Sequence, residues 1–274
     1  MHENMMFVDT LEVPELEIYN VLSENRLYHI NEPDEGLFIA ESAIVIGRAL
    51  DAGYEPFSLL VAEEELDREA KDIITRLNDF PLSKIYVAKE EVLKQITGYN
   101  ITRGILCAMK RKKLKSAQEI CKDAKCIAVL ENVSNPTNVG AIMRNAAALN
   151  MDAVLFTKGS SDPLYRRAIR VSMGTVFQIP WTFLSQGKEL EEIAGMGFKT
   201  VALALNDNTL DIDDKRLAEE EKLAIFLGSE GYGLKPETIR SSDYCVKIPM
   251  AHGVDSLNVA ACSAVTFWEL QKNK

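Results

Sequence analysis

Histidine is scarce in this 274-residue chain. His2, His29 and His252 are too scattered to suggest a metal cluster, so no metal is expected. The five cysteines, Cys107, Cys121, Cys126, Cys245 and Cys262, are odd in number and include no CxxC pair. That disfavours a disulfide framework or a zinc site and favours a reducing, cytoplasmic setting. No apolar run approaches the roughly 20 residues that a membrane span needs, so no membrane association is expected. The opening Met1-His2-Glu3-Asn4 has no basic region ahead of an apolar stretch, and no secretory signal is expected. Positive charge is also short, with 31 basic against 41 acidic residues and a net charge of −10. Such a chain does not coat nucleic acid by charge alone, and any polyanion site must be local.

What is present is enough for a core. Hydrophobic residues make up 47% and charged residues 26%, the balance of a soluble globular protein. The length suits two domains. The first part alternates short apolar strands (Leu37 to Ala40, Phe57 to Val61, Ile85 to Val87, Gly104 to Ala108) with helical patterns. Those helices are expected over Val13 to Arg26, Ser42 to Ala52, Glu64 to Asn78 and Glu90 to Thr97. This predicts a small α/β domain over 1–109. Lys110-Arg111-Lys112-Lys113-Leu114-Lys115 is the only dense basic cluster. It opens a linker expected over 110–122, either solvated or in contact with RNA phosphates through residues such as Lys112 and Lys113.

The second part, 123–274, has strands expected at Cys126 to Leu130, Ala153 to Phe156, Thr200 to Leu205, Ala224 to Leu227 and Tyr244 to Ile248. Near-continuous apolar strands separated by helices predict a mostly parallel sheet covered on both faces. The last helix, Leu257 to Gln271, is apolar on more than one side, which suits deep burial or an oligomer interface. No internal repeat is visible. Neither GxGxxG nor GxxxxGK[ST] occurs after the early strands, which disfavours an ordinary nucleotide-binding domain.

Three turns carry the chemistry. In Asn135-Pro136-Thr137-Asn138-Val139-Gly140-Ala141-Ile142-Met143-Arg144, Asn138 is expected to cap a helix running from about Val139 to Leu149, with Arg144 off its core face. Leu227-Gly228-Ser229-Glu230-Gly231-Tyr232-Gly233-Leu234 follows a strand with three glycines and a glutamate, and glycines permit close backbone approach to a ligand. Ile248-Pro249-Met250 leads through Ala251-His252-Gly253-Val254-Asp255 to Ser256-Leu257-Asn258-Val259. Ser256 is expected to cap the last helix. Asn258, a poor helix former just inside it, is expected to serve a site. His252 has either a solvated or a catalytic reading.

Together, in this order and spacing, the three turns resemble the motifs of the SpoU (TrmH-type) RNA 2′-O-ribose methyltransferases. The N-P-x-N-x-G-x-x-x-R turn is matched from Asn135 to Arg144, and G-x-E-x-x-G-[LI] from Gly228 through Glu230 and Gly233 to Leu234. The I-P-M…S-L-N-V run is matched at Ile248 to Met250 and Ser256 to Val259. Phe38-Ile39-Ala40-Glu41-Ser42, Asp51-Ala52-Gly53 and Thr102-Arg103-Gly104-Ile105 are similar to a substrate-binding domain that many of these enzymes carry, related to a ribosomal RNA-binding fold. Arg103 replaces the glutamine usual there.

The resemblance implies a homodimer that uses S-adenosylmethionine to methylate a ribose 2′-hydroxyl of rRNA or tRNA, with a trefoil knot in the catalytic domain. It implies that Gly228, Ile248, Met250 and Leu257 hold the cofactor. Arg144 matches the residue that handles the hydroxyl proton. Because a guanidinium is essentially always protonated, gripping phosphate and stabilising an alkoxide is the safer role. Asn138, Glu230, Ser256 and Asn258 match the other functional polar positions. Arg166, Arg167 and Arg170, ahead of the Ser172-Met173-Gly174 turn, are candidates for RNA contact or form a solvated helix face. Methylation of an RNA base by a related knotted fold, and RNA binding by a decayed enzyme, are the alternatives.

Overall fold

Runs of valine, isoleucine, leucine and phenylalanine set the strands of two sheets, each inside its own unit. The computed structural model describes residues 5–32, 35–80, 83–96, 104–205, 209–254 and 256–271. His2, Thr97, Thr102-Arg103 and Asp255 lie outside the described residues. The contacts divide the chain into one unit of Met1–Lys113 with Leu164–Phe177 and another of Leu114–Pro163 with Gln178–Lys274.

The first unit holds β1 (Met5–Phe7), β2 (Leu37–Glu41), β3 (Pro56–Ala62), β4 (Lys84–Ala88) and β5 (Ile105–Lys110). Their order is β1-β4-β3-β5-β2, with β5 antiparallel to both of its neighbours and the other pairs parallel. Leu37, Ile39, Leu60, Tyr86 and Leu106 gather Leu16, Tyr19 and Leu27 into a core. The single helix expected over Val13 to Arg26 is broken. Pro14–Leu16 is a 3-10 turn, Glu17–Asn20 one helical turn, and Glu24–His29 begins anew because the Ser23 side chain accepts from Arg26 N at 3.4 Å and caps it. The helix expected from Glu64 shrinks to Ala70–Arg76, since Leu66 is the only apolar residue between Glu63 and Glu69.

The basic cluster starts inside this unit. Lys110 ends β5 and pairs with Glu55 at 3.1 Å. The Arg111 guanidinium lies 4.6 Å from the Tyr28 ring centre. Lys112 Nζ donates to Ala52 O at 2.7 Å and sits over Tyr54. Lys113 and Lys115 are exposed. The segment Leu164–Phe177 joins this unit through its helix Arg166–Val171. Arg166 reaches the buried Glu41 at 3.2 Å, and its backbone N donates to a Glu24 carboxylate oxygen at 2.7 Å. Arg48 Nη1 donates to Met173 O at 2.6 Å.

The second unit contains β6 (Cys126–Glu131), β7 (Ala153–Phe156), β8 (Trp181–Phe183), β9 (Lys199–Leu203), β10 (Leu210–Asp211), β11 (Leu223–Gly228) and β12 (Tyr244–Lys247). The order is β10-β12-β9-β11-β6-β7-β8, and each adjacent pair is parallel. Consecutive residues of β6 are all buried, so both faces of the sheet are covered there. Fully burying Ile127, Val129 or Leu130 stabilises by about 1.5–3 kcal/mol each. The chain moves outward from β6 through β7 to β8, then returns to β9 and inserts β11 beside β6. The connections leaving β6 and β11 therefore run to opposite sides, and a crevice opens at the strand ends between them.

Two helix starts correct the sequence expectation. The Pro136–Ala148 helix is capped by Asn135, whose side chain accepts from Thr137 N at 2.9 Å. Asn138 is inside the first turn and is not the cap. The Val259–Gln271 helix is preceded by Asn258, whose Oδ1 accepts from Ala260 N at 2.9 Å and Ala261 N at 3.4 Å. Asn258, not Ser256, is its cap. The two helices dock through Asn145, whose Nδ2 donates to Ala260 O at 2.8 Å and Ser263 Oγ at 2.9 Å.

Candidate functional site

β11 ends in a turn that only glycine can start. A Cβ on Gly228 would lie 2.3 Å from the Gly233 carbonyl carbon and 2.4 Å from Leu234 N. Ser229 and Gly233 close the turn with backbone hydrogen bonds of 3.2 and 2.9 Å, and Gly233 takes φ of 66°, a region that favours glycine. Glu131, at the end of β6, anchors the far side. Its buried carboxylate accepts from Lys235 N at 2.6 Å and Thr238 Oγ1 at 2.5 Å.

This turn is the shared wall of two cavities. One, of about 380 Å³, is lined by Leu203, Ala204 and Leu205 at the end of β9 and beyond, by the 227–234 turn, by Val246, Lys247, Ile248 and Met250 at the end of β12 and beyond, and by Ser256, Leu257, Val259 and Cys262. Its volume lies in the range of small-molecule sites, and its walls are mostly apolar with backbone groups at the turns. Gly228, Ile248, Met250 and Leu257, the four expected cofactor residues, all line it. Burial raises the Cys262 thiol above its ordinary value. The other cavity, of about 760 Å³, is more polar and is lined by residues 132–135, Asn138, Gly159, residues 229–234, Lys235 and Pro236.

Three of the expected polar residues meet at the wall. Asn258 Nδ2 donates to Glu230 Oε1 and, at 3.3 Å, to Asn138 Oδ1. The same amide's oxygen is held by the backbone of the last helix, so one side chain caps a helix and ties two turns together. Asn138 is 6% exposed, and its Nδ2 is buried with no partner. A buried donor left unpaired costs about 1–3 kcal/mol, which a ligand acceptor would recover.

The remaining candidates lie elsewhere. Ser256 is exposed on the first cavity's rim. Arg144 is exposed on the third turn of its helix and has no ion-pair partner among the described residues. His252 is exposed with φ of 57°. Lys112, Lys113, Arg166, Arg167 and Arg170 all belong to the first unit. There Arg166 is committed to Glu41 and Lys112 to Ala52, while Arg167, Arg170 and Lys113 are exposed. Sequence reasoning missed Glu131, Asn145 and the 203–205 wall. Glu131 and Asn145 each neighbour a motif residue, but only the strand order shows what they brace.

Known proteins resemble this chain over most of its length. A relative in Mycobacterium bovis, named an uncharacterized tRNA/rRNA methyltransferase, is 36% identical over 237 residues, covering 86% of this chain and 81% of the relative. A 23S rRNA (guanosine(2553)-2′-O)-methyltransferase of Bacillus subtilis is 24% identical over 85% of this chain and 88% of its own. An RNA 2′-O ribose methyltransferase structure superposes with a TM-score of 0.77 at 25% identity, covering 98% of this chain and 99% of that one. An AdoMet-bound rRNA methyltransferase from Sinorhizobium meliloti shares the fold, with a TM-score of 0.80 at 22% identity over 98% of each chain. The family model described as the SpoU rRNA Methylase family matches residues 125–268, and the chain belongs to that family.

Proposed function

We propose that the protein transfers a methyl group from S-adenosylmethionine to a ribose 2′-hydroxyl of ribosomal or transfer RNA. The observation that carries this reading is the 228–234 turn, with a largely apolar cavity on one side and, on the other, one lined by the polar side chains of Asn135, Asn138, Glu230 and Lys235. The Asn138–Asn258–Glu230 bridge lies at that divide. The walls fit the cofactor: bare Gly228 backbone, apolar Ile248, Met250 and Leu257, and a volume suited to a small molecule. Bound there, S-adenosylmethionine supplies an electrophilic methyl on a sulfonium.

The chain's own residues do the rest. Asn258 holds Glu230 and Asn138 in a fixed relation, so the polar face is preorganised before RNA arrives. Ser256 orients the 248–258 turn. Arg144 grips a phosphate beside the target ribose and stabilises the alkoxide as the hydroxyl proton leaves. The first unit serves as the substrate-binding domain, with Arg167, Arg170 and Lys113 among its RNA contacts. The catalytic unit carries the trefoil knot and pairs with a second copy through the exposed Val265 and Trp268 of the last helix.

Replacing Arg144 by alanine tests the central assignment. R144A is expected to lose transfer by 100-fold or more, about 3 kcal/mol in the barrier, measured with tritiated cofactor on unmodified rRNA. Calorimetric S-adenosylmethionine affinity is expected to stay within about twofold, because no part of Arg144 lines that cavity. Full transfer by R144A would overturn the assignment.

A further inference from the structure

One side chain of the 228–234 turn is left unused by the fold. Tyr232 is 97% exposed, yet the backbone beneath it is pinned by the Ser229–Gly233 hydrogen bonds. Its flanking residues leave room around it, with no atom within 4 Å of where a Cβ on Gly231 or Gly233 would sit. Tyr232 also borders both cavities. Asn138, whose Nδ2 is buried and unpartnered, is among the residues that line the second of them.

A planar ring at the rim and a spare donor within match the face and the edge of an unstacked nucleobase. Single-stranded RNA is read in this way, by aromatic stacking on the base and hydrogen bonds to its polar atoms. We infer that Tyr232 is a stacking platform for a base at the methylated nucleotide, and that the polar cavity receives that nucleotide. The inference rests on the 2′-hydroxyl reading of the site. Gly231, Gly233 and Glu230 surround Tyr232 in sequence with no second large apolar residue. One base needs only one ring, and the residues on either side of Tyr232 leave that ring free to take it.

The test compares Y232L, Y232A, Y232F and Y232W in the full-length protein, with transcribed unmodified rRNA as the probe. Three quantities are measured: RNA affinity, S-adenosylmethionine affinity by calorimetry, and oligomeric state by sedimentation. Stacking predicts that Y232L and Y232A weaken RNA binding roughly 5- to 100-fold, that Y232F and Y232W restore it, that any loss of cofactor affinity is much smaller than the loss of RNA affinity although Tyr232 borders that cavity too, and that sedimentation is unchanged. Leucine matching tyrosine in RNA affinity would overturn the platform. So would a parallel loss of cofactor affinity, which would make Tyr232 a lid on the apolar cavity, or a shift to smaller species, which would make it a contact between copies. Because affinity is read apart from turnover, a wild-type protein that binds RNA in a Tyr232-dependent way but transfers no methyl would sink the functional reading and leave the platform standing.

Discussion

At the residue scale, Asn258 does two separable jobs. Its oxygen caps the last helix, and its amide nitrogen bridges Glu230 to Asn138. The orientation of the amide is fixed from both ends, since a flip would set oxygen against the Glu230 carboxylate and nitrogen against two backbone donors. Serine caps well but is too short to span both turns. N258S is therefore expected to stay within about 0.5 kcal/mol of wild type in a denaturant melt while losing 10-fold or more in methyl transfer. N258A loses the cap as well and is expected to be less stable by about 1 kcal/mol. Equal activity of N258S and wild type would mean that the bridge is idle. Gly228 shows the other kind of constraint, where no side chain fits against the backbone at 2.3 Å.

At the scale of elements, the cavity walls hang from β9, β11 and β12, and a clamp at the opposite ends of β9 and β12 holds two of them. Asp243 accepts from Lys199 Nζ at 2.8 Å, Thr200 N at 2.9 Å and Thr200 Oγ1 at 2.8 Å. Partial burial opposes its ionisation, but those donors outweigh it and hold the carboxyl below its ordinary value of 3.8. The folded value lies below the unfolded one, so the stabilisation is present above about pH 3.8 and lost as pH falls through the folded value. Because the pair is half exposed, D243N is expected to cost only about 0.5–1 kcal/mol at pH 7. The gap to wild type should narrow as melts are taken to pH values below 3.8 and close once the folded-state carboxyl is protonated; a gap that persists there would assign it to shape rather than charge. β9 and β11 were legible in sequence because their apolar runs are buried on both faces. β1, β8 and β10, two or three residues each, were not, because so short a run shows no period. The caps slipped because the apolar period begins at Val139, whereas Pro136, with φ preset for a first helical position, starts the helix three residues earlier. The walls at 203–205 and the Glu131 anchor were illegible for another reason: they depend on which strand lies beside which, which no local pattern encodes.

For the whole molecule, the difficulty is charge, since an acidic chain must bring a polyanion to its site. At net −10, long-range steering opposes approach, and local cations must supply the attraction. In the catalytic unit the glycine turn offers Lys235 but no arginine cluster, and the exposed arginines beside Ser172 belong to the other unit. A second copy would add another such set of cations. The last helix shows how it would be held. Val259, Phe267 and Leu270 are buried against its own unit, while Val265 and Trp268, three residues apart on another face, stand 41% and 61% exposed. Apolar side chains on that second face have no role in a monomer's core, and burying what remains exposed of both between two copies would contribute about 1.5–3 kcal/mol per copy. At micromolar concentration the wild type is expected to sediment as a dimer and V265E/W268E as a monomer. The double variant's melting temperature should become independent of concentration. Methyl transfer should fall with the dimer while isolated-site cofactor binding weakens less, because the apolar cavity is lined within one copy. A double variant that remains dimeric would remove this helix from the interface and leave its outer face without a reason to be apolar.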